Sequence, residues 1–277
     1  MTWTELLLVG VLHEFPAGSG FERDLATAIE RFAPQVVCVE VPPPAAMRQL
    51  YRYWRTGLAA KARRAAQRPS CPHHAEALAC VARGDQVGAL AAFTRARLMA
   101  PEDESLAADE AEALRLCSDA ALLQVVLPLR VRMGFEVVPV GGTRYSHFGR
   151  RAEAVARWRV QPDYEARHQA EAALMQTAYA GLCAPRLQAS LLVLNSGASH
   201  VVAEVAHGFL RRLWGTDDVD LCWRQNNANA LRAIRQAVER SAGRRVAVLH
   251  GWEHVYWLLP RLQALAQVRV VPLADLL

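Results

Sequence analysis

The sequence predicts an α/β protein: a largely parallel central sheet flanked by helices, with a helical insertion after the second strand. Three observations predict it. Short apolar, β-branched runs such as "ELLLVGVL", "QVVCVEV" and "RRVAVLHG" alternate with longer segments of helical period. Each run is apolar at consecutive positions, the pattern of strands covered on both faces. Residues 45–133, by contrast, are rich in Ala and Leu and carry almost no strand signal.

Taken in order, "ELLLVGVL" reads as a buried first strand ending near Gly10. In "GFERDLATAIERFAP", Phe21, Leu25, Ile29 and Phe32 recur at helical spacing and Pro34 follows, so this is an amphipathic helix. "QVVCVEV" is the second strand, stopped by prolines that can continue neither ladder nor helix. Strand, helix and strand in so short a stretch imply a parallel crossover. Within the insertion, Gly84, Ala89, Phe93, Ala96 and Pro101 resemble the second half of a tetratricopeptide repeat. With no second copy at the repeat period, a lone hairpin at about 70–103 is expected, serving as packing or as an arm for a protein partner. "GFEVVPVGG" is a third strand, and residues 150–184 read as helix. "LQASLLVLNSGASHVVAEVAHGFLRRLW" fits either a strand to Leu194 or helix throughout. "NNANALRAIRQAVERSAG" is a helix stopped at Gly243, followed by the strand "RRVAVLHG", a helix from about Glu253 to Ala266, and a last strand "VRVVPL". Residues 1–277 thus read as one domain with an insertion at 45–133.

Composition narrows the function classes. With 52% hydrophobic and 21% charged residues, and no apolar run of the ~20 residues that span a bilayer, a soluble protein without a membrane segment is expected. The first residues lack a basic leader region, which points to the cytoplasm. The six cysteines then read as small buried hydrophobes. Net charge is +5, but its arginines are spread along the chain, and "RRAAQR" has no interleaved aromatics, so nucleic acid is not an expected partner. Cys71, His73, His74 and Cys80 are types that zinc accepts, yet their spacing matches no common site and a helix start is expected. "PEDESLAADEAE" is the acidic start of a helix, not a calcium loop. His147, His168 and His207 read as surface or helix-face residues.

The end of the chain carries the chemistry. "HGWEH" reads His-x-x-Glu-His, the inverted zinc-peptidase pattern, but that motif needs both imidazoles inside a helix, and His250 closes a strand-like run before Gly251. A second pairing joins distant stretches. Gly10 with His13, and Gly251 with His254, each place a histidine three residues after a glycine at a strand exit. If those strands are neighbours, both imidazoles rise at the carboxyl edge of the sheet, where ligands gather in folds of this class. Glu40 ends the second strand at the same edge, and a carboxylate in an apolar run is costly unless paired, protonated or bound to metal. Two histidines and a glutamate with open positions are a catalytic divalent-metal pattern, so His13, His254 and Glu40 are expected as both ligands and catalytic residues.

The order of "GVLH", "VVCVE", a helical insertion, "VVPV", an "LN" segment, Trp223 before "NN", and "VLHGWEH" resembles the bacterial and related TraB/PrgY, TIKI and ChaN-like superfamily. The resemblance implies a metal-dependent peptidase, amidase or esterase using Mn, Co or Zn on a peptide or small-molecule substrate. It maps metal chemistry onto His13, Glu40 and His254. It maps substrate contacts onto Trp223, Asn227 and Asn195, with Arg144 and Tyr145 standing near an aspartate that Gly141 and Gly142 replace, and with Gly10 and Gly251 leaving room for a ligand. The Arg of the family's Arg-Asn pair falls on Asn226. Two alternatives stay open: a ChaN-like haem or small-molecule binder using Tyr145 or Tyr256, and erythromycin-esterase-like chemistry in which a histidine acts without metal.

Overall fold

A computed structural model describes residues 3–53, 71–115, 120–182, 190–215 and 219–277. Five strands, β1 (Thr4–Val11), β2 (Val36–Val39), β3 (Glu136–Pro139), β4 (Arg245–Gly251) and β5 (Val268–Val270), form one sheet in the order β3-β2-β4-β1-β5. Every pairing is parallel. β1 and β2 share the sheet but are not adjacent, because β4 from the far end of the chain lies between them.

Side chains alternate across a strand, so each strand feeds two cores. Leu7, Val9, Val37, Val39, Ala247 and Leu249 face α1 (Gly20–Phe32) and the insertion. Leu6, Leu8, Val36, Cys38, Val246 and Val248 face the other way. There they meet Ile234, Ala237 and Val238 of α11 (Val219–Arg240), and Val255, Leu258 and Leu262 of α12 (Trp252–Gln263). Burial on both sides is why the strands read as continuous apolar runs.

Helix α1 buries Phe21, Leu25, Ile29 and Phe32, as their spacing predicts, and Ser19 caps its start by accepting from the Glu22 N–H. Between β2 and β3 lie α2 (Pro44–Tyr53), α3 (Pro72–Arg83), α4 (Gln86–Met99), α5 (Glu104–Arg115) and α6 (Ala120–Met133). α3 and α4 pack as a hairpin in which Ala89, Phe93 and Ala96 are fully buried. The Cys71–Cys80 stretch opens α3, and its buried His74 places Nε2 3.0 Å from Asp109 Oδ2 of α5, a structural pair. Asp103 accepts the Leu106 N–H at the start of α5, as the acidic run predicts. After β3 come α7 (Tyr145–Arg159), α8 (Tyr164–Leu182), α9 (Leu191–Leu194) and α10 (Gly197–Trp214).

The ambiguous "LLVLN" stretch is therefore one helical turn, not a strand. Its place beside β1 explains the choice. β5 pairs only with Thr4–Leu6, and farther along that edge Asn195 donates to the Gly10 carbonyl at 2.9 Å and accepts the Gly10 N–H. One side-chain amide thus satisfies the backbone groups a further strand residue would have paired. Cys38, Cys71, Cys80 and Cys222 are free thiols, while Cys117 and Cys183 lie outside the described residues. No helix among the described residues is long and apolar enough to cross a membrane.

Candidate metal centre

β1 and β4 do lie side by side, but one residue out of step with the Gly-x-x-His correspondence. Gly10 stands opposite His250, and Gly251 opposite Val11. On the other side of β4, Val39 stands opposite Leu249, so Glu40 emerges level with His250. Extending the strand alternation by one residue sends Gly10, Glu40 and His250 to the face covered by α11 and α12. A Cβ on Gly10 would come within 2.9 Å of the Trp252 backbone, so this glycine lets α12 press against the sheet rather than admitting a ligand. With α12 seated there, His254 in its first turn meets the other two side chains.

Glu40, His250 and His254 present ligand atoms within 4.8 Å of one another, and all three residues are buried. Glu40 Oε2 accepts the Gly251 N–H at the start of α12, where the helix dipole favours an anion. The same oxygen lies 2.8 Å from His250 Nδ1, and Oε1 lies 3.6 Å from His254 Nε2. The His250 Nε2 nitrogen, on a residue with no exposed surface, has no hydrogen-bond partner among the described residues. An orphaned ring nitrogen in a buried site asks for a ligand.

The electrostatics suit a cation. Burial would raise the Glu40 carboxyl, but His250, His254 and His13 outweigh it and hold the group well below the usual carboxylate range. Burial, opposed by Glu40, pushes His254 down to about 3, leaving its imidazole neutral at ordinary pH. An ionised carboxylate and a neutral imidazole are the forms that ligate metal.

His254 is also oriented. Asn227 Nδ2 donates to the Trp223 carbonyl at 3.0 Å, which turns Asn227 Oδ1 toward His254 Nδ1 at 2.9 Å. Nδ1 therefore carries the proton and Nε2 presents its lone pair toward Glu40, the usual outer support of a metal-binding imidazole. Replacing Asn227 with Leu is expected to weaken zinc affinity about 10- to 100-fold, measured by competition with a coloured chelator. Unchanged affinity would reduce the bond to a packing contact.

The structure corrects several expectations. His13 is not in the ligand group: it lies on the loop beyond β1, so the loop, not strand register, sets its place. It still borders the site, because a Cβ on Gly251 would lie 3.0 Å from both His13 Nε2 and Glu40 Oε2. Gly251, with φ −48 and ψ 130, has a conformation open to any residue, so what it supplies is space inside the site. Asn227 is fully buried and holds His254 instead of substrate. Asn195 braces Gly10, and Arg144 donates to the Gly141 and Thr143 carbonyls of its own loop, at 3.1 and 2.9 Å. The Tyr145 side chain lies outside the described residues. Trp223 stacks on His254 with centroids 5.7 Å apart and planes 9° from parallel. His147, expected at a surface or on a helix face, lies in the first turn of α7 and is buried, and His207 lines a cleft between helices.

Two residues stand at the site outside the expected set of His13, Glu40 and His254. His250 carries a signal, the His-x-x-Glu-His spacing, although it ends a strand rather than sitting in the helix that this pattern normally requires. A strand end followed by a helix N-terminus brings the two imidazoles together just as well, with ring centroids 4.7 Å apart. Glu253, between them, has its pKa raised by burial and is electrostatically coupled to His13 and Glu40.

No family model, curated protein or solved structure matches the chain.

Proposed function

We propose that the chain is a metal-dependent hydrolase of amide or ester bonds, with Glu40, His250 and His254 holding a divalent ion. The observation that carries this reading is the buried three-residue group, in which His250 Nε2 lacks a partner among the described residues. Two imidazoles and one carboxylate suit Zn, Co or Mn and leave coordination positions for water and substrate. Gly251 supports it as well, since its missing side chain keeps open the space between Glu40, His13 and His254.

Such an ion polarises a substrate carbonyl and brings the pKa of its water toward neutrality. The chain's own groups do the rest. Glu253, whose carboxyl is raised by burial, accepts a proton from the attacking water and returns it to the leaving group. His13, across the Gly251 gap, steadies the negative charge developing beside it. Asn227 keeps His254 in its ligating tautomer. On motif order we place the chain beside the TraB/PrgY, TIKI and ChaN-like proteins, with His250 taking the ligand role first expected of His13.

The test is direct. Protein stripped of metal and titrated with Zn, Co or Mn is expected to bind about one ion per chain and to gain hydrolysis of peptide or ester probes. A chelator should remove both. Hydrolysis that survives chelation would replace this reading with metal-free histidine chemistry.

A further inference from the structure

Beside the metal group, α10, α11 and α12 enclose a cleft of about 770 Å³ that no ligand in the group lines. Its size falls in the range of small-molecule sites, ~300–1,000 Å³. The walls are of two kinds. Trp223 and Tyr256 lie nearly parallel, with centroids 5.7 Å apart and planes 15° from parallel, and Trp257 meets Trp223 edge-on at 6.4 Å. Arg211, Arg224 and Arg261 stand around these rings, against one carboxylate, Glu204. Arg261 is held in place: its guanidinium lies 3.8 Å over the Trp257 ring and donates to the Trp257 carbonyl at 2.8 Å. A guanidinium fixed in this way keeps further donors for a ligand at little entropic cost.

The cleft shares wall residues with the neighbourhood of the metal group on two sides. Trp223, which forms its aromatic wall, is the ring stacked on His254. His207 on its rim packs against Trp223, with centroids 4.4 Å apart and planes tilted by 38°, and places Nε2 3.9 Å from Glu253 Oε2. A molecule lying on Trp223 and Tyr256 is parted from His254 by the Trp223 ring and from Glu253 by His207.

We infer that this cleft is a binding site for molecules that join a planar apolar ring to a carboxylate, and that it selects such acids as the substrate class of the hydrolase. Only the word substrate rests on the function proposed above; the site itself does not. The ring stacks on Trp223 and Tyr256, and the anion meets the arginines, where a bidentate guanidinium contact is strong and directional.

Two probes of one shape separate the contributions: 2-naphthoate and its neutral isostere 2-naphthamide, titrated while tryptophan fluorescence is followed. Wild-type protein is expected to bind the acid at least about tenfold more tightly than the amide, a difference of ~1.4 kcal/mol. The Arg224→Gln/Arg261→Gln double variant alters exposed side chains and should keep its far-ultraviolet circular dichroism. It is expected to lose the preference for the acid while still binding both probes through the aromatic wall. Equal binding of acid and amide by wild type, a preference untouched in the double variant, or no binding of either probe would each overturn the inference. If the acid preference holds while the metal titration fails, the cleft stands and the hydrolase reading falls. If metal binds and the acid preference is absent, the reverse is true.

Discussion

Glu40→Gln is expected to lower metal affinity by more than the roughly 100-fold that loss of a supporting group can cost, and to abolish hydrolysis, because it removes the one anionic ligand while keeping the side chain's shape. Melting with and without zinc separates this from a structural role. The surrounding histidines and the Gly251 N–H stabilise the Glu40 carboxylate in the fold even without metal, so the neutral amide forfeits that contribution. Metal-free Glu40→Gln should then melt below the wild-type protein, and zinc, which raises wild-type melting, should leave the variant unchanged. Calorimetric melting and zinc competition on the same preparation check both halves. A variant that binds zinc normally and melts far lower would remove the metal centre.

Gly142→Ala is expected to produce the largest stability loss of any single methyl added near the site. A Cβ there would run into the Asn226 carbonyl oxygen, and Asn229 already donates to the Gly142 carbonyl at 3.1 Å. The obstacle is backbone of α11, so relief requires moving the helix whose Ile234, Ala237 and Val238 are buried against the sheet. Overpacking of this kind costs about 3 kcal/mol. Because Asn227 rides on the same helix, metal affinity should fall at least as far as in Asn227→Leu. Gly149→Ala is the control: it lies within α7, nothing stands within 4 Å of its added Cβ, and a gain of ~0.5–1 kcal/mol is expected. Denaturant unfolding of both variants tests the contrast. Equal midpoints would mean that α11 is not pressed against this loop.

The Gly141-Gly142 pair shows why part of the architecture was legible and part was not. In the sequence it marks the end of the third strand. Its close approach to α11 depends on a helix more than eighty positions away, and no local pattern announces that. The strands themselves were plain, because parallel strands covered on both faces must be apolar throughout. "LLVLN" was ambiguous for a related reason: its apolar residues serve a single buried helical turn, and short apolar runs do not distinguish helix from strand. His74 followed local rules and Asp109 completed the pair from another helix.

The site divides in the same way. Its residue types and the sheet edge that gathers them were readable from "VCVE" and "HGWEH". The membership of the ligand group was not, because it depends on register. Aligning the two Gly-x-x-His stretches equates Gly10 with Gly251 and nominates His13, whereas the sheet sets Gly10 opposite His250. A shift of one residue exchanges the two faces of a strand. By itself, then, the sequence determined the strands, the amphipathic helices, and the presence of a carboxylate and imidazoles at the carboxyl ends of β2 and β4. Only the tertiary structure decided that His250 joins Glu40 and His254, that Asn227 orients one of them, and that an aromatic, arginine-rimmed cleft adjoins them. Periodicity is a property of neighbours along the chain, while register and helix docking are set by contacts between residues far apart in it.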